Sequence, residues 1–383
     1  MNSLGIYVHI PFCRSKCGYC DFYSVKGSED GMDSYQKALL SHIKECGRYT
    51  KGFKTDTIYI GGGTPTYYGV KRLCALLDRI TKSFDMAANM EITVEANPDS
   101  INEKELRRLK KSGVNRLSLG IQSADDGELA QLGRIHTYSD ALAAFSAARS
   151  AGFDNISVDL MYGLHNQTRE GWKNTLEQIL LLAPEHISCY GLKLGENCGM
   201  SSEPTPVNLP CDDIQADMYL DMVELLDNSG YNQYEISNFA LPSRESRHNL
   251  KYWNLDEYIG FGAAAHSDFA RKRYSNVADI DGYIKGIIEN DAIIDHMEQI
   301  DPLERAVEYL MLRLRTSAGI SSNEYCRTFR ATFAPIEDTL VEAESRGYAL
   351  HEGDRWRLTP RGFLISNRII ASVLDGVSSS SQS

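Results

Sequence analysis

Cys13, Cys17 and Cys20 form a C-x3-C-x2-C array inside the string Tyr7–Phe22, YVHIPFCRSKCGYCDF. Thiolates packed this closely are soft ligands suited to a transition metal or an iron–sulfur cluster. Three is one fewer than the ligand set of a closed tetrahedral zinc site or of a saturated iron–sulfur cube. The array therefore points to a cubane cluster with one iron open to another molecule. A zinc site completed by a distant His or Cys, or three unconnected buried thiols, are the other readings of the same residues.

A second set of residues would suit a polar, zwitterionic ligand. Gly61-Gly62-Gly63-Thr64-Pro65 lets backbone amides approach a ligand with no Cβ in the way. Glu95 in EANPD and Asp159 in DLMYGL can take an amine or ribose hydroxyls, and Arg134 can take a carboxylate. Gln122, in GIQS, adds an amide. Singly, these are an ordinary turn, surface acids and solvated polar side chains. Their meaning depends on the elements that carry them.

Short β-rich runs alternate with longer helical runs from residue 4 to about 194. Strands are predicted at Leu4–Ile10, Thr57–Ile60, Met90–Glu95, Arg116–Gly120, Ile156–Leu160 and His186–Leu192. Helices are predicted between them, with Gly113 and Gly152 as stop signals and Thr168 as an N-cap. Six such repeats call for a parallel sheet with helices outside, an α/β fold short of a full barrel. In barrel-like βα folds chemistry sits where strands end. The cysteines, the glycine turn, Glu95, Gln122 and Asp159 all fall at or near strand ends, hence on one rim.

With these motifs the chain resembles the radical S-adenosylmethionine (SAM) superfamily, whose C-x3-C-x2-C holds a 4Fe-4S cluster. The resemblance implies that SAM chelates the open iron and can be cleaved reductively to a 5′-deoxyadenosyl radical. YVHIPFC, GGGTPT at Gly61–Thr66 and DLMYGL at Asp159–Leu164 are similar to one branch. That branch holds the oxygen-independent coproporphyrinogen III oxidases and the HemW-type haem chaperones. Carried over residue by residue, Tyr7, Gly62, Gly63, Thr64, Glu95, Gln122, Arg134 and Asp159 would contact SAM. The oxidase pattern has a further cysteine two residues after the third, where this chain has Phe22. His248-Asn249-Leu250-Lys251-Tyr252-Trp253 matches the HNxxYW string of the chaperones. The resemblance implies a haem site there, with His248 as iron ligand and Tyr252 and Trp253 as walls. Arg244, Arg247 and Lys251 lie near enough in sequence to meet propionates. Two departures fall in loops: His165-Asn166-Gln167 stands where Pro-Gly-Gln is usual, and Gly195-Glu196-Asn197 where Glu-Pro-Gly is expected.

Composition bounds the remainder. The 383 residues, 42% hydrophobic and 24% charged, give a globular chain with room for one large and one or two small domains. No apolar run approaches the ~18 residues of a membrane span, and no secretory signal is evident. Nine unevenly spaced cysteines fit a reducing cytoplasm. A net charge of −12 argues against nucleic acid as the main partner. The order helices-then-hairpin after Asp301 has the form of a winged helix, but residues 301–370 hold ten Arg, no Lys and ten Asp plus Glu. A protein contact or lid fits that balance better than DNA.

The expected fold is a partial (β/α)6 radical SAM barrel over 1–200, an α+β extension bearing HNxxYW over 201–295, a winged-helix-like domain over 301–371 and a disordered tail over 372–383. The expected function is that of a cytoplasmic haem chaperone, peripheral to the membrane where its recipient lies there. It would carry a 4Fe-4S cluster, SAM and haem, and pass haem to apoproteins such as membrane-bound respiratory subunits. The rivals are coproporphyrinogen oxidation and a DNA-binding redox sensor. Anaerobically reconstituted protein is expected to carry iron and sulfide, and Cys17→Ala to lose the cluster's visible absorbance. Stoichiometric zinc without iron would reject the cluster.

Overall fold

In a computed structural model the chain is described over residues 2–193 and 208–380. Six parallel strands run in sequence order: β1 (Asn2–Ile10), β2 (Phe53–Gly62), β3 (Met86–Ala96), β4 (Arg116–Gln122), β5 (Ile156–Tyr162) and β6 (His186–Gly191). The helices between them are α1 (Glu29–Cys46), α2 (Pro65–Tyr68), α3 (Val70–Ser83), α4 (Glu103–Lys111), α5 (Asp126–Gln131), α6 (Tyr138–Ser150) and α7 (Arg169–Leu180). Local chemistry sets their ends. Asn102 and Glu105 form a capping box on α4, as Thr137 and Asp140 do on α6. Gly113 and Gly152, at φ +99° and +92°, turn the chain after those two helices.

Each strand alternates between two environments. Ile58 and Ile60, Ile92 and Val94, Leu117 and Leu119, and Ile156, Val158 and Leu160 are buried in the main core. The intervening residues Tyr59, Glu95, Arg116, Ser118, Gly120, Gln122 and Asp159 line the lumen. Parallel strands are usually apolar on both faces. Here one face is polar, so the concave side of the curved sheet is built to hold something.

The stretch after β6 extends the sheet at both edges. It contributes α8 (Asp212–Asn228), β7 (Asn232–Glu235), β8 (Asn238–Ala240), α9 (Arg247–Asn254), β9 (Tyr258–Phe261), β10 (His266–Phe269), β11 (Lys272–Asn276), α10 (Ile280–Glu289) and β12 (Ile294–Gln299). Strand β8 joins β6 antiparallel and β9 joins β1 parallel. The twelve strands order as β12-β11-β10-β9-β1-β2-β3-β4-β5-β6-β8-β7. Strands β7 and β8 form a hairpin, because Ile236 and Ser237 turn the chain between them.

The C-terminal unit comprises α11 (Pro302–Arg313), β13 (Ile320–Ser321), α12 (Ser322–Phe329), α13 (Ala334–Ser345), β14 (Ala349–Glu352), β15 (Arg355–Leu358), α14 (Pro360–Leu364) and α15 (Ser366–Ser380). Its three strands order as β13-β15-β14, a helix-and-wing arrangement. The disordered tail expected over 372–383 is corrected to the end of α15. Ile369, Ile370 and Val373 bury one stripe of that helix in the core, and α13 packs against it. Sequence composition at Ser378–Ser383 masked this, because the apolar spacing that makes the helix lies upstream. Gly195-Glu196-Asn197 and part of the proline-rich Glu203–Pro210 lie outside the described residues.

An ion-pair knot ties this unit to the sheet. Asp268 on β10 accepts from Arg305 Nη1 and Nη2 at 2.7 and 2.9 Å and from Arg273 Nη2 at 3.3 Å. Glu308 pairs with both arginines at 2.6 and 3.2 Å. Asp268 is 7% exposed, so removing it takes the more buried of two carboxylates from a pair of partly buried cations. Asp268→Ala is expected to destabilise the protein by about 3 kcal/mol in a denaturant titration, whereas the exposed pair-breaking Lys82→Ala should cost well under ~1 kcal/mol. Equal, small effects would show the knot to be dispensable.

Candidate functional site

The cysteine loop leaves β1 and is fastened at its base. Cys13 N–H donates to Val25 O at 3.0 Å and Val25 N–H to Pro11 O at 2.8 Å. Cys13, Cys17 and Cys20 are free, and all three line the mouth of a cavity of about 430 Å3. Burial pushes the Cys13 and Cys20 thiols up from their ordinary value. Among the described residues no three Cys, His, Asp or Glu side chains converge where a single metal ion could sit. A cube presents a separate iron to each thiolate, so three spread thiols on one cavity wall suit it.

Backbone shape brings the glycine turn against the loop. A Cβ on Gly63 would stand 2.9 Å from Cys13 Sγ and 2.8 Å from Phe12 O, so only glycine fits there. Gly62, at φ +115°, donates its N–H to Glu95 Oε2 at 3.0 Å. Tyr59 donates to the other carboxylate oxygen of Glu95 at 2.7 Å. Burial, with the Asp159 carboxylate adding to it, pushes the Glu95 carboxyl up to about 7 against those two hydrogen bonds. Asp159, opposite, accepts from Ser118 at 2.9 Å and is likewise raised by burial.

Arg134 links the far wall to the cysteines. Its Nη2 donates to Asn97 Oδ1 at 2.8 Å and Gly120 O at 2.9 Å, and its Nη1 reaches Cys17 Sγ at 3.5 Å. Asn97 Nδ2 donates to Thr64 Oγ1 at 3.1 Å, which in turn donates to Cys13 Sγ at 3.5 Å. Gln122 sits at φ +72°, where the β4–β5 register shifts. That bulge folds its amide over Gly120, where a Cβ would be 2.9 Å from Gln122 Nε2. Gly62, Gly63, Thr64, Glu95, Gln122, Arg134 and Asp159 therefore share one cavity with the cysteines. Tyr7 does not line it; its hydroxyl bonds His9 Nδ1 at 2.9 Å, beside Gly62. Phe22, 68% exposed, stands at the cavity mouth.

The HNxxYW string occupies a different place from the one expected of an open haem site. It forms α9, seated at the opposite end of the barrel, against the starts of β1–β3. Lys251 Nζ is tied to Asp56 at 2.8 Å and Ser3 at 2.9 Å, and Arg247 donates to Asn89 O at 2.7 Å. Glu91 accepts the N–H groups of Arg247 and His248 at 3.1 and 3.0 Å. His248 is fully buried, with Nδ1 on Thr57 Oγ1 and Nε2 on Tyr252 OH, both at 2.8 Å. Burial, then the cations Lys251 and Arg116, push its imidazole down to about 3, so it is neutral. In this conformation both ring nitrogens are occupied and no iron can reach either. Tyr252 packs edge-on against Tyr258 at 4.7 Å, and Trp253 is half-buried; neither lines the cavity. Lys251 and Arg247 anchor the helix and are not free for propionates. Asn249 alone of the string reaches the cavity. His165 accepts from Asn208 N–H at 2.7 Å, a loop contact.

Sequence reasoning passed over Tyr59, Asn97, Arg116 and Asn249. Tyr59 and Arg116 carry a signal in hindsight: each is polar at an inward position of a strand whose alternate residues are Ile or Leu.

A parallel half-barrel with three thiols after its first strand and a polar lumen defines a radical SAM protein. The family model described as Radical SAM superfamily matches residues 7–179, and that described as HemN C-terminal domain matches 300–365. The chain is 34% identical over 372 residues to the Heme chaperone HemW of Bacillus subtilis, covering 96% of this chain and 98% of that one. The Escherichia coli protein of the same name is 34% identical over 374 residues, 96% and 97% covered. Coproporphyrinogen III oxidase (HemN) from Escherichia coli superposes with a TM-score of 0.86 over 97% of this chain and 90% of that one, at 22% identity, a likeness of fold. The chain belongs to the HemW family of radical SAM proteins.

The raised Glu95 carboxyl has a measurable sign. Its folded value near 7 against 4.5 unfolded means the folded state holds an extra proton between them. Stability therefore falls as pH rises through that window and levels off above it. Glu95→Gln is expected to gain up to about 3 kcal/mol on the wild type across it, in denaturant titrations of ligand-free protein at a pH series. Glu235, also raised to about 7, titrates in both proteins and cancels. Parallel pH profiles would show that Glu95 titrates normally.

Proposed function

We propose that this protein is a haem chaperone. It holds a 4Fe-4S cluster on Cys13, Cys17 and Cys20, and SAM beside it against Gly62, Gly63, Thr64, Glu95, Gln122, Arg134 and Asp159, with Tyr7 behind His9. It takes up haem and delivers it to haem-dependent apoproteins, membrane-bound respiratory subunits among them, acting in the cytoplasm and at the membrane periphery. The observation that carries this reading is the end-to-end similarity to proteins named Heme chaperone HemW. Among the described residues no helix is long and apolar enough to cross a membrane. The cavity fits the cofactors: thiols on one wall, a glycine cradle with no space for a Cβ, and carboxylates and a guanidinium on the others. When bound, the pair supplies one-electron reductive chemistry, which haem transfer itself does not require. Arg134 orients a carboxylate, the glycine turn excludes side chains, and Glu95 and Asp159 take polar hydrogens.

Haem ligation by His248 fits this structure as the closed state of a gated site. Lifting α9 breaks the His248–Thr57 bond and the two amide bonds to Glu91, while the His248–Tyr252 bond lies within the helix and travels with it. At about 1 kcal/mol each that costs several kcal/mol, which iron ligation must exceed before the open form is populated. With Tyr252 and Trp253 as neighbours, the freed imidazole would then meet haem. Two variants with opposite signs test this. His248→Ala should weaken haem binding by at least about tenfold and shift the Soret band. Thr57→Val removes one bond of the closed seat and should tighten haem binding about fivefold. Unchanged haem affinity in both would make His248 a floor residue only.

Oxidation of coproporphyrinogen is the competing activity. Phe22 stands where that motif continues with cysteine, and the resemblance to the oxidase is one of fold. The reconstituted protein with SAM and a reductant is expected to form no protoporphyrinogen under conditions in which an oxidase does; turnover would replace the chaperone reading.

A further inference from the structure

One layer below Glu95 the lumen holds polar groups with nothing to bond. Arg116, at the start of β4, is 1% exposed, and its Nε and Nη1 are buried without a hydrogen-bond partner. Thr93 is its register neighbour across β3–β4, is 0% exposed, and has an unpartnered hydroxyl. The surrounding inward groups are committed elsewhere. Ser157 bonds His186 Nδ1 and Tyr234 OH bonds its Nε2, both at 2.7 Å, while His248 is held by Thr57 and Tyr252. Among the described residues no carboxylate lies within ion-pair distance of Arg116. Glu95 bonds Tyr59 and Gly62, and Asp159 bonds Ser118. A buried guanidinium with Nε and Nη1 unpaired is costly. Its flat array of donors matches the paired oxygens of an oxyanion such as a carboxylate.

Position supplies the rest. Arg116 lines the same cavity as Asn249, the one residue of α9 that reaches it. The cationic side chain thus lies behind the helix that the haem reading requires to move. The cations nearer in sequence are engaged, Lys251 with Asp56 and Arg247 with Asn89 O. We propose that Arg116 and Thr93 form a carboxylate-binding site at the inner end of the barrel cavity. Resting on the haem-chaperone reading above, we assign its occupant as a propionate of the tetrapyrrole. A small free acid is the other source of the same chemistry.

The test uses the anaerobically reconstituted protein, titrated with haem and with haem dimethyl ester. Wild type should prefer the free acid by at least about tenfold, and Arg116→Gln should bind acid and ester within about twofold of each other. Thr93→Val should weaken the acid alone, by about fivefold. Tight wild-type binding of acid and ester alike overturns the site and leaves the haem reading standing. If wild type binds neither, the haem reading fails and succinate decides. A rise in Tm in wild type that is lost in Arg116→Gln supports a small-acid site, and no rise overturns the proposal. The wild-type acid-against-ester comparison needs no variant, so a misfolded Arg116→Gln does not blunt it.

Discussion

The alternation within six parallel strands is the constraint on which the molecule depends. Ile, Leu and Val at every second position bind the sheet to its helices, and polar side chains at the others face inward. A polar lumen in a closed core is costly unless each group finds a partner. The partners found here are specific: Tyr59 with Glu95, Ser118 with Asp159, Ser157 with His186 and His186 with Tyr234. Satisfying them fixes the carboxylates below the cysteine loop. The same bonds that let the barrel fold therefore orient the ligand-facing groups.

The two ends of the barrel are joined through one column of contacts. At the floor the His248 ring stacks on Tyr59 at 5.3 Å. Tyr59 holds Glu95, and Glu95 holds the Gly62 amide at the rim. On the other wall, Arg134, Asn97 and Thr64 run from Gly120 to Cys13. A displacement of α9 thus reaches Glu95 through a single side chain. In a packed interior such shifts are transmitted, since few voids exist to absorb them.

Features with local causes were legible in the sequence. The cysteine spacing, the glycine turn, the βα alternation and the caps depend on neighbouring residues, and the rim assembled from them holds all the expected SAM contacts but Tyr7. Features with distant causes were not. Strand β9 pairs with β1 across some 250 residues of chain, and nothing in YIGF says so. His248 reads as an available imidazole until Thr57, Glu91 and Tyr252 surround it, and Lys251 reads as a surface cation until Asp56 and Ser3 meet it. Arg116 is the reverse case: RLSLGIQ reads as an ordinary strand with a charged first residue. The Leu117, Leu119 and Ile121 alternation puts the charge on the inward face, and the closed lumen shows how deeply it lies.

Charge inside the lumen limits what can share it. Arg116 attracts Glu95 and Asp159 from beyond ion-pair distance, and burial already holds Glu95 near 7, so the lumen sheds part of its negative charge by keeping a proton. A cationic group at the rim would favour releasing that proton, because it stabilises the carboxylates. A carboxylate at Arg116 would favour retaining it. Occupants of rim and floor with opposite charges therefore compensate each other across one layer of side chains, where the local dielectric is low and screening weak. On the proposed function, SAM would bring a net positive charge to the rim, and a propionate would bring a negative charge to the floor. Bound at the rim on that reading, SAM would offset, through its positive charge, the acids that otherwise repel the anionic end of a bound haem.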